Sequence, residues 1–133
     1  MAANDNNKSS LSAGEIIRDI LVNDTDVMAI ANKVYPVVVD SAVLPYIVYR
    51  RTQLQQDPTK QGRGADTVGI EVICYAAGYT QSVELAEAVR AALDYATGST
   101  QDGLVMRSCY LSDSEEAWQD DAYLQQLVFT VKM

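Results

Sequence analysis

Histidine is absent from this 133-residue chain, which also has only two cysteines, one tryptophan and one phenylalanine. Histidine is the commonest general base and the commonest metal ligand, so its absence removes the usual centre of a catalytic or metal site. Two cysteines alone cannot supply the four ligands of a structural zinc site. We therefore expect no metal and no cofactor.

Motifs of the common enzyme classes are missing as well. The stretch "GRGAD" at 62–66 lacks the third glycine of a dinucleotide fingerprint and the Gly-Lys-Ser/Thr of a P-loop. No serine lies in a nucleophile elbow, and the carboxylates form no recognisable acid/base pair. We predict that the protein is not an enzyme and has no catalytic residues.

Positive charge is scarce, with 10 lysines and arginines against 18 aspartates and glutamates and a formal net charge of −8. Binding to phosphates needs the opposite balance, so we expect no specific nucleic-acid partner.

No apolar run approaches the roughly 18 residues of a membrane span. The polar start "MAANDNNKSS" lacks the apolar core of a secretory signal. Cys74 and Cys109 lie in predicted strands, which favours buried cytosolic thiols over a disulfide.

The polar residues 1–10 predict a disordered tail, and residues 11–133 predict a single domain. The domain begins with an amphipathic helix, whose start carries a capping-box pattern at Ser12 and Glu15. A shorter helix, with Thr25 as its expected cap, follows this first helix.

A third helix is predicted over 80–98, because its apolar residues recur at helical spacing. Thr80 or Ser82 is the expected cap at its start. Gly98 is placed where a left-handed residue would end the helix.

Alternating apolar residues predict four strands, at 46–54, 67–76, 104–112 and 123–132. The residues expected to face the core share one side of their strands: Val68, Ile70, Val72, Cys74 and Ala76, then Leu127, Phe129 and Val131. The predicted fold class is α+β: a four-stranded antiparallel sheet with two main helices packed on one face. The element order is helix, short helix, strand pair, helix, strand pair.

A long basic arm connects the first two strands over residues 55–66. Hairpin loops are mostly two to five residues long, so this length indicates either a mobile solvated loop or an arm that becomes ordered on another subunit. The basic residues in and before the arm are Arg50, Arg51, Lys60 and Arg63.

The acidic stretch "DSEEAWQDD" at 113–121 holds the only tryptophan, Trp118. One interpretation is a polar strand connection with Trp118 folded over the edge of the core. The other is an interface in which Trp118 anchors a partner and the carboxylates face basic residues. The carboxylates are Asp113, Glu115, Glu116, Asp120 and Asp121.

Glu71, Ile73 and Tyr75 lie on the side of their strand that faces away from the predicted core. They form a third candidate contact surface unless a helix or the N-terminal tail covers them. Together, a basic arm and an acidic stretch on one subunit could form a head-to-tail contact, which makes a ring if it closes. Pairing of the two segments within one subunit is the alternative.

The order and spacing of several segments resemble the small tail-completion proteins of bacteriophages and prophages, also described as head-to-tail joining or tail-terminator proteins. The resemblance covers residues 11–132 and rests on the N-terminal helix, "VYP", "LPYIVYR", "VGIEVICYA", "SVELAEAVRAAL" and "YLQQLVFTVK".

This resemblance implies a structural subunit, without catalytic residues, of a hexameric ring at the head-proximal end of the tail tube. Its implied partners are other copies of itself, the tail-tube protein and the head-connector protein. Its implied location is the virion tail, and the host cytoplasm during assembly. DNA would pass through the ring, and an acidic lumen would not hold it. The alternative is a monomeric module that binds a peptide or a small ligand.

Overall fold

A computed structural model of the protein describes residues 8–37, 40–56 and 66–133. A short 3₁₀ turn, Ser10–Ser12, leads into helix α1 (Ala13–Asn23), and helix α2 (Thr25–Ile30) follows directly. The predicted disordered tail at 1–10 therefore lies outside the described residues, except for its last three.

The two N-terminal helices begin differently from the prediction. Ser12 precedes α1, but its side chain caps nothing, because its backbone belongs to the 3₁₀ turn rather than to the extended conformation of a capping residue. Glu15 instead accepts a hydrogen bond from Lys8 Nζ at 2.8 Å. Asp24, not Thr25, caps α2 by accepting a hydrogen bond from the Val27 backbone N–H at 2.9 Å.

The main sheet has five strands, in the spatial order β1-β2-β3-β7-β6. The pairs from β2 to β6 are antiparallel, as predicted, but β1 adds a parallel edge strand beside β2. The prediction of a four-stranded antiparallel sheet is therefore wrong in this detail, because three residues are too few to show an apolar period. The strands are β1 (Val34–Pro36), β2 (Tyr46–Gln56), β3 (Asp66–Ala76), β6 (Ser108–Gln119) and β7 (Ala122–Lys132).

A second, two-stranded sheet is also outside the prediction. It joins β4 (Gly98–Ser99) to β5 (Val105–Met106). β4 lies where the third predicted helix was expected to end, and β5 lies where the third predicted strand was expected to begin. The main-sheet strand therefore starts only at Ser108.

Helix α3 (Tyr79–Leu93) begins after Gly78 without a side-chain cap. Thr80 and Ser82 lie inside the helix, and the Ser82 hydroxyl donates back to the Tyr79 carbonyl at 2.6 Å. The N-cap position is Gly78, so the predicted caps are wrong by two and four residues.

The C-terminal stop of α3 differs as well. The helix ends at Leu93, and the left-handed conformation belongs to Tyr95, with φ of 65°. Gly98 lies in β4, where a Cβ atom would come within 2.8 Å of Ile16 Cγ2. The glycine is therefore needed for the close approach of β4 to α1, not for ending a helix.

All three helices pack on one face of the sheet, and the core lies between them. The inward rows of β3 and β7 are almost fully buried, which confirms the predicted core face. The helices contribute Ile16, Ile17, Leu21, Val27, Leu85, Val89 and Leu93 to the same cluster. At roughly 1.5–3 kcal/mol for each large apolar side chain, this layer is the main source of stability.

The predicted acidic connection at 113–121 is not a connection. Residues 113–119 continue β6, and only Asp120 and Asp121 form the turn to β7. Both turn residues have positive φ, 52° and 62°, as a two-residue hairpin turn of the mirror-image type requires. The sequence pattern did not predict this hairpin, because the apolar alternation of β6 stops at Leu111.

Candidate assembly surfaces

The described candidate residues fall on one face of the main sheet, along two of its edges and in the turn between β6 and β7. We call the sheet face opposite the helices the open face, Ser112–Gln119 the acidic edge, and Arg50–Gln56 the basic edge. Glu71, Ile73 and Tyr75 lie on the open face, and the acidic residues 113–116 lie on the acidic edge. Lys60 and Arg63 lie outside the described residues, so no position is assigned to them.

A polar network occupies the middle of the open face. Glu71 is only 4% exposed although the helices lie on the other side of the sheet. Its carboxylate accepts hydrogen bonds from Arg50 Nε at 2.6 Å and from Gln126 Nε2. Arg50 therefore pairs within the subunit with its direct cross-strand neighbour, not with the acidic edge.

Tyrosines form a row at one end of the open face. Tyr46 and Tyr75 stack with their ring centres 4.6 Å apart, and Tyr35 meets Tyr46 edge to face at 6.0 Å. Burial is the main cause that raises the pKa of both Tyr46 and Tyr75. These rings give the open face a rigid, half-buried apolar surface.

A shallow pocket of about 320 Å³ opens beside these rings. Its lining includes the stacked pair, Leu44 and the turn residue Asp120. Ligand pockets are usually about 300–1,000 Å³, so this pocket is at the small end of that range.

Arg51 points to the opposite face from Arg50, as neighbouring strand residues do. Its guanidinium donates to the Leu11 carbonyl at 3.1 Å, and its side chain is exposed. The two arginines that adjoin in sequence therefore serve different surfaces.

The acidic edge is the outer boundary of the sheet beyond β7. Asp113 and Glu115 pair with β7 residues Val128 and Gln126, which places their side chains toward the open face. All eight residues from Ser112 to Gln119 are exposed. A strand this long with an exposed edge presents unpaired backbone groups to any partner strand.

Aromatic residues surround the end of the acidic edge on the helix side. Trp118 is 60% exposed, so it is not folded over the core as one interpretation proposed. Its cross-strand neighbour Tyr123 meets Tyr79 edge to face at 5.7 Å. Glu116 accepts hydrogen bonds from Tyr79 Oη at 3.0 Å and from Gln125 Nε2 at 2.9 Å, and the first of these raises the pKa of Tyr79.

Both cysteines are free and fully buried, as the sequence predicts. Burial raises the pKa of the Cys109 thiol to about 12 and raises that of Cys74 too. Within the described ranges, no three histidine, cysteine, aspartate or glutamate side chains cluster as metal ligands. In the same part of the chain, no helix is long and apolar enough to cross a membrane.

Sequence reasoning missed the partners of the predicted residues. Gln126, Tyr35 and Tyr46 lie beside Glu71 and Tyr75 on the open face. The position of Gln126 could have been predicted from the sequence. Side chains alternate between the two faces of a strand, so if Leu127 and Phe129 face the core, Gln126 must face away from it. No single-strand pattern could give the stacking of two tyrosines, since it depends on the register between β2 and β3.

The fold is shared with a chain of a solved virion particle. A chain in the solved structure titled "Virion of native gene transfer agent (GTA) particle" superposes with a TM-score of 0.70 at 19% identity. The match covers 93% of this chain and 98% of that one. At this identity the likeness establishes the common fold.

The family is given by a profile described as "Tail completion protein gp17", which matches residues 15–133. Among the described residues, the match includes α1 from Glu15 onward, the other two helices and every strand of both sheets. The chain therefore belongs to this family of phage tail completion proteins and is a structural protein of the phage tail. No curated protein matches the chain.

Proposed function

We propose that the protein is a ring-forming subunit that terminates the phage tail tube and joins it to the head connector. The observation that carries this proposal is the family match, which covers residues 15–133. Six copies form the ring in the assembled tail. The tail-tube protein and the head-connector protein bind its two sides, and assembly takes place in the host cytoplasm.

Three features of the subunit support an assembly role. The open face exposes part of Ile73 and Tyr75, which a partner would cover at little cost in polar desolvation. Trp118 stands 60% exposed at the tip of a hairpin, where a large aromatic side chain is an effective anchor. The net charge of −8 suits a ring through which DNA moves without sticking.

The charged segments are proposed to guide subunits together. Arg51, Lys60 and Arg63 of one subunit would attract the carboxylates of the acidic edge and turn of the next, with Arg50 held by Glu71. Such contacts increase association rate and fix register more than they add affinity.

Tail assembly with and without the protein tests this proposal. We expect tubes formed without it to have a broad length distribution and no heads attached, when measured by negative-stain electron microscopy. Wild-type protein should narrow the distribution and restore attachment. A variant with Arg51, Lys60 and Arg63 replaced by serine, in which Arg50 is kept as the partner of the buried Glu71, should stay folded and fail in both respects. Tubes of equal length with attached heads in the absence of the protein would refute the proposal.

A second candidate function is a monomeric module that binds a peptide or a small ligand. The pocket beside Tyr46 and Tyr75 favours it, because two aromatic rings and the Asp120 carboxylate suit a basic side chain. This candidate requires a protein that stays monomeric and gains thermal stability with short arginine-containing peptides. Replacement of Tyr46 and Tyr75 by alanine would abolish that gain while Trp118→Ala would not.

A further inference from the structure

The two free edges of the main sheet carry opposite charge. The basic edge, Arg50–Gln56, contains two arginines and no carboxylate, and the acidic edge, Ser112–Gln119, contains three carboxylates and no lysine or arginine. The edges lie on opposite sides of the same sheet, because β2 and β6 are separated by β3 and β7. A second copy of this chain is therefore electrostatically complementary to the first, edge to edge.

Among the described residues, β2 has a neighbour on its outer side only as far as β1 and Val37 extend. β1 and its continuation cover the lower part of β2, where Ile47 N–H donates to the Lys33 carbonyl and Val37 N–H donates to the Tyr49 carbonyl. Beyond Tyr49, β2 continues for seven residues to Gln56 and pairs with β3 on its other side.

Among the described residues, the outer side of β6 is likewise covered over part of the strand, before the acidic edge begins. The turn after α3 covers the start of β6, since Tyr95 N–H donates to the Cys109 carbonyl at 2.6 Å and Asp94 accepts from Leu111 N–H at 3.0 Å. The bulge between Leu111 and Asp113 then separates this covered part from the acidic edge.

The two-residue turn fixes which backbone groups of the acidic edge point outward. Gln119 and Ala122 flank the turn and form its closing hydrogen-bonded pair. Because hydrogen-bonded and non-hydrogen-bonded pairs alternate, residues 117, 115 and 113 also bond to β7. The N–H and C=O groups of Ser114, Glu116 and Trp118 therefore point away from the sheet, and of these the Ser114 N–H donates to Asp113 Oδ1 at 2.9 Å.

We propose that the acidic edge of one subunit pairs as an added β-strand with the basic edge of its neighbour, so that the ring is joined by continuous sheets. This inference rests on the proposed ring. Each subunit uses two different edges, which is the head-to-tail contact that closes into a ring. Pairing of two acidic edges would oppose like charges, so the same charges also disfavour closed dimers.

The position of the free parts has a geometric consequence. The basic edge lies at one end of the strands and the acidic edge at the other, so neighbouring sheets are displaced along the strand direction. Subunits joined by such a displaced contact form a closed ring only if their strands are inclined to the ring axis. The strands of a closed β-barrel are inclined to the barrel axis for the same reason.

Charge reversal with mixing tests the pairing. Arg51→Glu reverses the charge of the basic edge on the helix side of the sheet, and Glu116→Lys reverses the carboxylate of the acidic edge that points to the same side, so each variant alone should raise the concentration for half-assembly at least about tenfold. An equimolar mixture should recover assembly, because each type presents the charge that the other type needs. Native mass spectrometry at low salt should then detect rings that contain both variants in equal number.

A proline substitution tests the backbone contact separately from charge. Glu116→Pro removes an outward N–H group that β7 does not use, whereas Glu116→Ala removes the same side chain and keeps the N–H. We expect the proline variant to lose ring formation and the alanine variant, which lacks one carboxylate of the acidic edge, to form rings at a higher protein concentration, with both variants folded by circular dichroism. Arg51→Glu, at an exposed position, keeps the test valid if the proline variant fails to fold.

The outcomes separate the two proposals. Wild-type rings together with unimpaired assembly of both Arg51→Glu and Glu116→Pro would overturn the edge pairing and leave the ring standing. A wild-type chain that forms no ring, either alone or on purified tail tubes, would overturn both.

Discussion

Glu71 shows how a single residue can be buried on a face that the helices leave uncovered. Its neighbours do the covering: Arg50 and Gln126 hold both carboxylate oxygens, and Val48 beside them is only 5% exposed. The sequence placed Glu71 correctly on the outward side of β3, because alternation along a strand fixes the side. It could not give the partners, which depend on the register of two other strands.

Substitution of Glu71 tests how much the polar network on the open face stabilises the fold. Glu71→Ala leaves the Gln126 amide without its acceptor and should reduce the free energy of unfolding by about 1–3 kcal/mol. Glu71→Gln keeps the side-chain volume and one acceptor oxygen for the Gln126 amide, so it should cost less. Urea unfolding of both variants measures the difference. An equal loss in both would show that the hydrogen bond from Gln126 does not stabilise the fold.

The two buried thiols predict a loss of stability at alkaline pH. The folded state holds Cys109 at a pKa of about 12, and burial raises that of Cys74 also, whereas unfolded thiols ionise near pH 8.5. The preference of the fold for neutral thiols is therefore complete below about pH 8.5 and is lost as the pH rises toward 12. Urea unfolding at several pH values should give a constant free energy from pH 6 to 8 and a decline above pH 9.

A cysteine variant provides the control for this pH dependence. Cys109→Ala should flatten the decline between about pH 9 and pH 10, before the raised tyrosine pKa values contribute. An unchanged slope in this variant would assign the decline to other groups.

At the scale of elements, the β6–β7 hairpin departs most from the sequence prediction. Apolar alternation predicted the strand only while its inward side chains met the helices, as Leu111 does. Beyond that point the strand has both faces exposed, and pairing to β7 maintains it. Side-chain patterns report burial, so a strand held by backbone hydrogen bonds alone leaves no such pattern.

Helix positions were predicted better than helix ends. Each of the three predicted helices exists, because its apolar stripe packs on the core. The caps were wrong because Ser12, Asp24 and Thr25 are all good capping residues, and composition cannot choose between neighbours.

The turn at Asp120 and Asp121 makes a direct test of the hairpin. Asp121→Gly should raise the melting temperature, because glycine adopts the positive φ of 62° without steric cost. Asp121→Ala should lower the melting temperature, since alanine keeps the steric cost and lacks the local hydrogen bonding that helps aspartate tolerate this conformation. Differential scanning calorimetry of the pair measures both shifts, and the reverse order would contradict the assigned turn.

A charge placed in the helix–sheet core tests that layer. Val72 is fully buried in β3, and Val72→Asp would place an unpaired carboxylate there. We expect this variant to be unfolded by circular dichroism at 25 °C. Ile73→Asp, one residue away on the open face, should remain folded. A folded Val72→Asp variant would contradict the assignment of the core face.

At the scale of the whole molecule, fold class and family agree with the sequence analysis, and the sheet differs by one parallel strand and one small extra sheet. The charges are segregated: the acidic and basic segments lie at opposite edges of the sheet. This separation is invisible in the net charge, and it becomes apparent only when the strand order is known.

Salt should therefore weaken assembly. Exposed charges are screened over about 8–10 Å at physiological ionic strength and over about 3 Å at 1 M. We expect native mass spectrometry to detect rings at low salt and smaller species as salt increases. Rings that persist unchanged at 1 M salt would show that apolar contacts, such as those of Trp118 and the open face, dominate the interface.

The most direct test of the central claim is cryo-electron microscopy of the head-proximal end of intact tails. We expect a closed ring of six copies between the tube and the head connector, with each chain fitted by the fold described above. A tube end without this chain, or the chain at another position in the virion, would contradict the account.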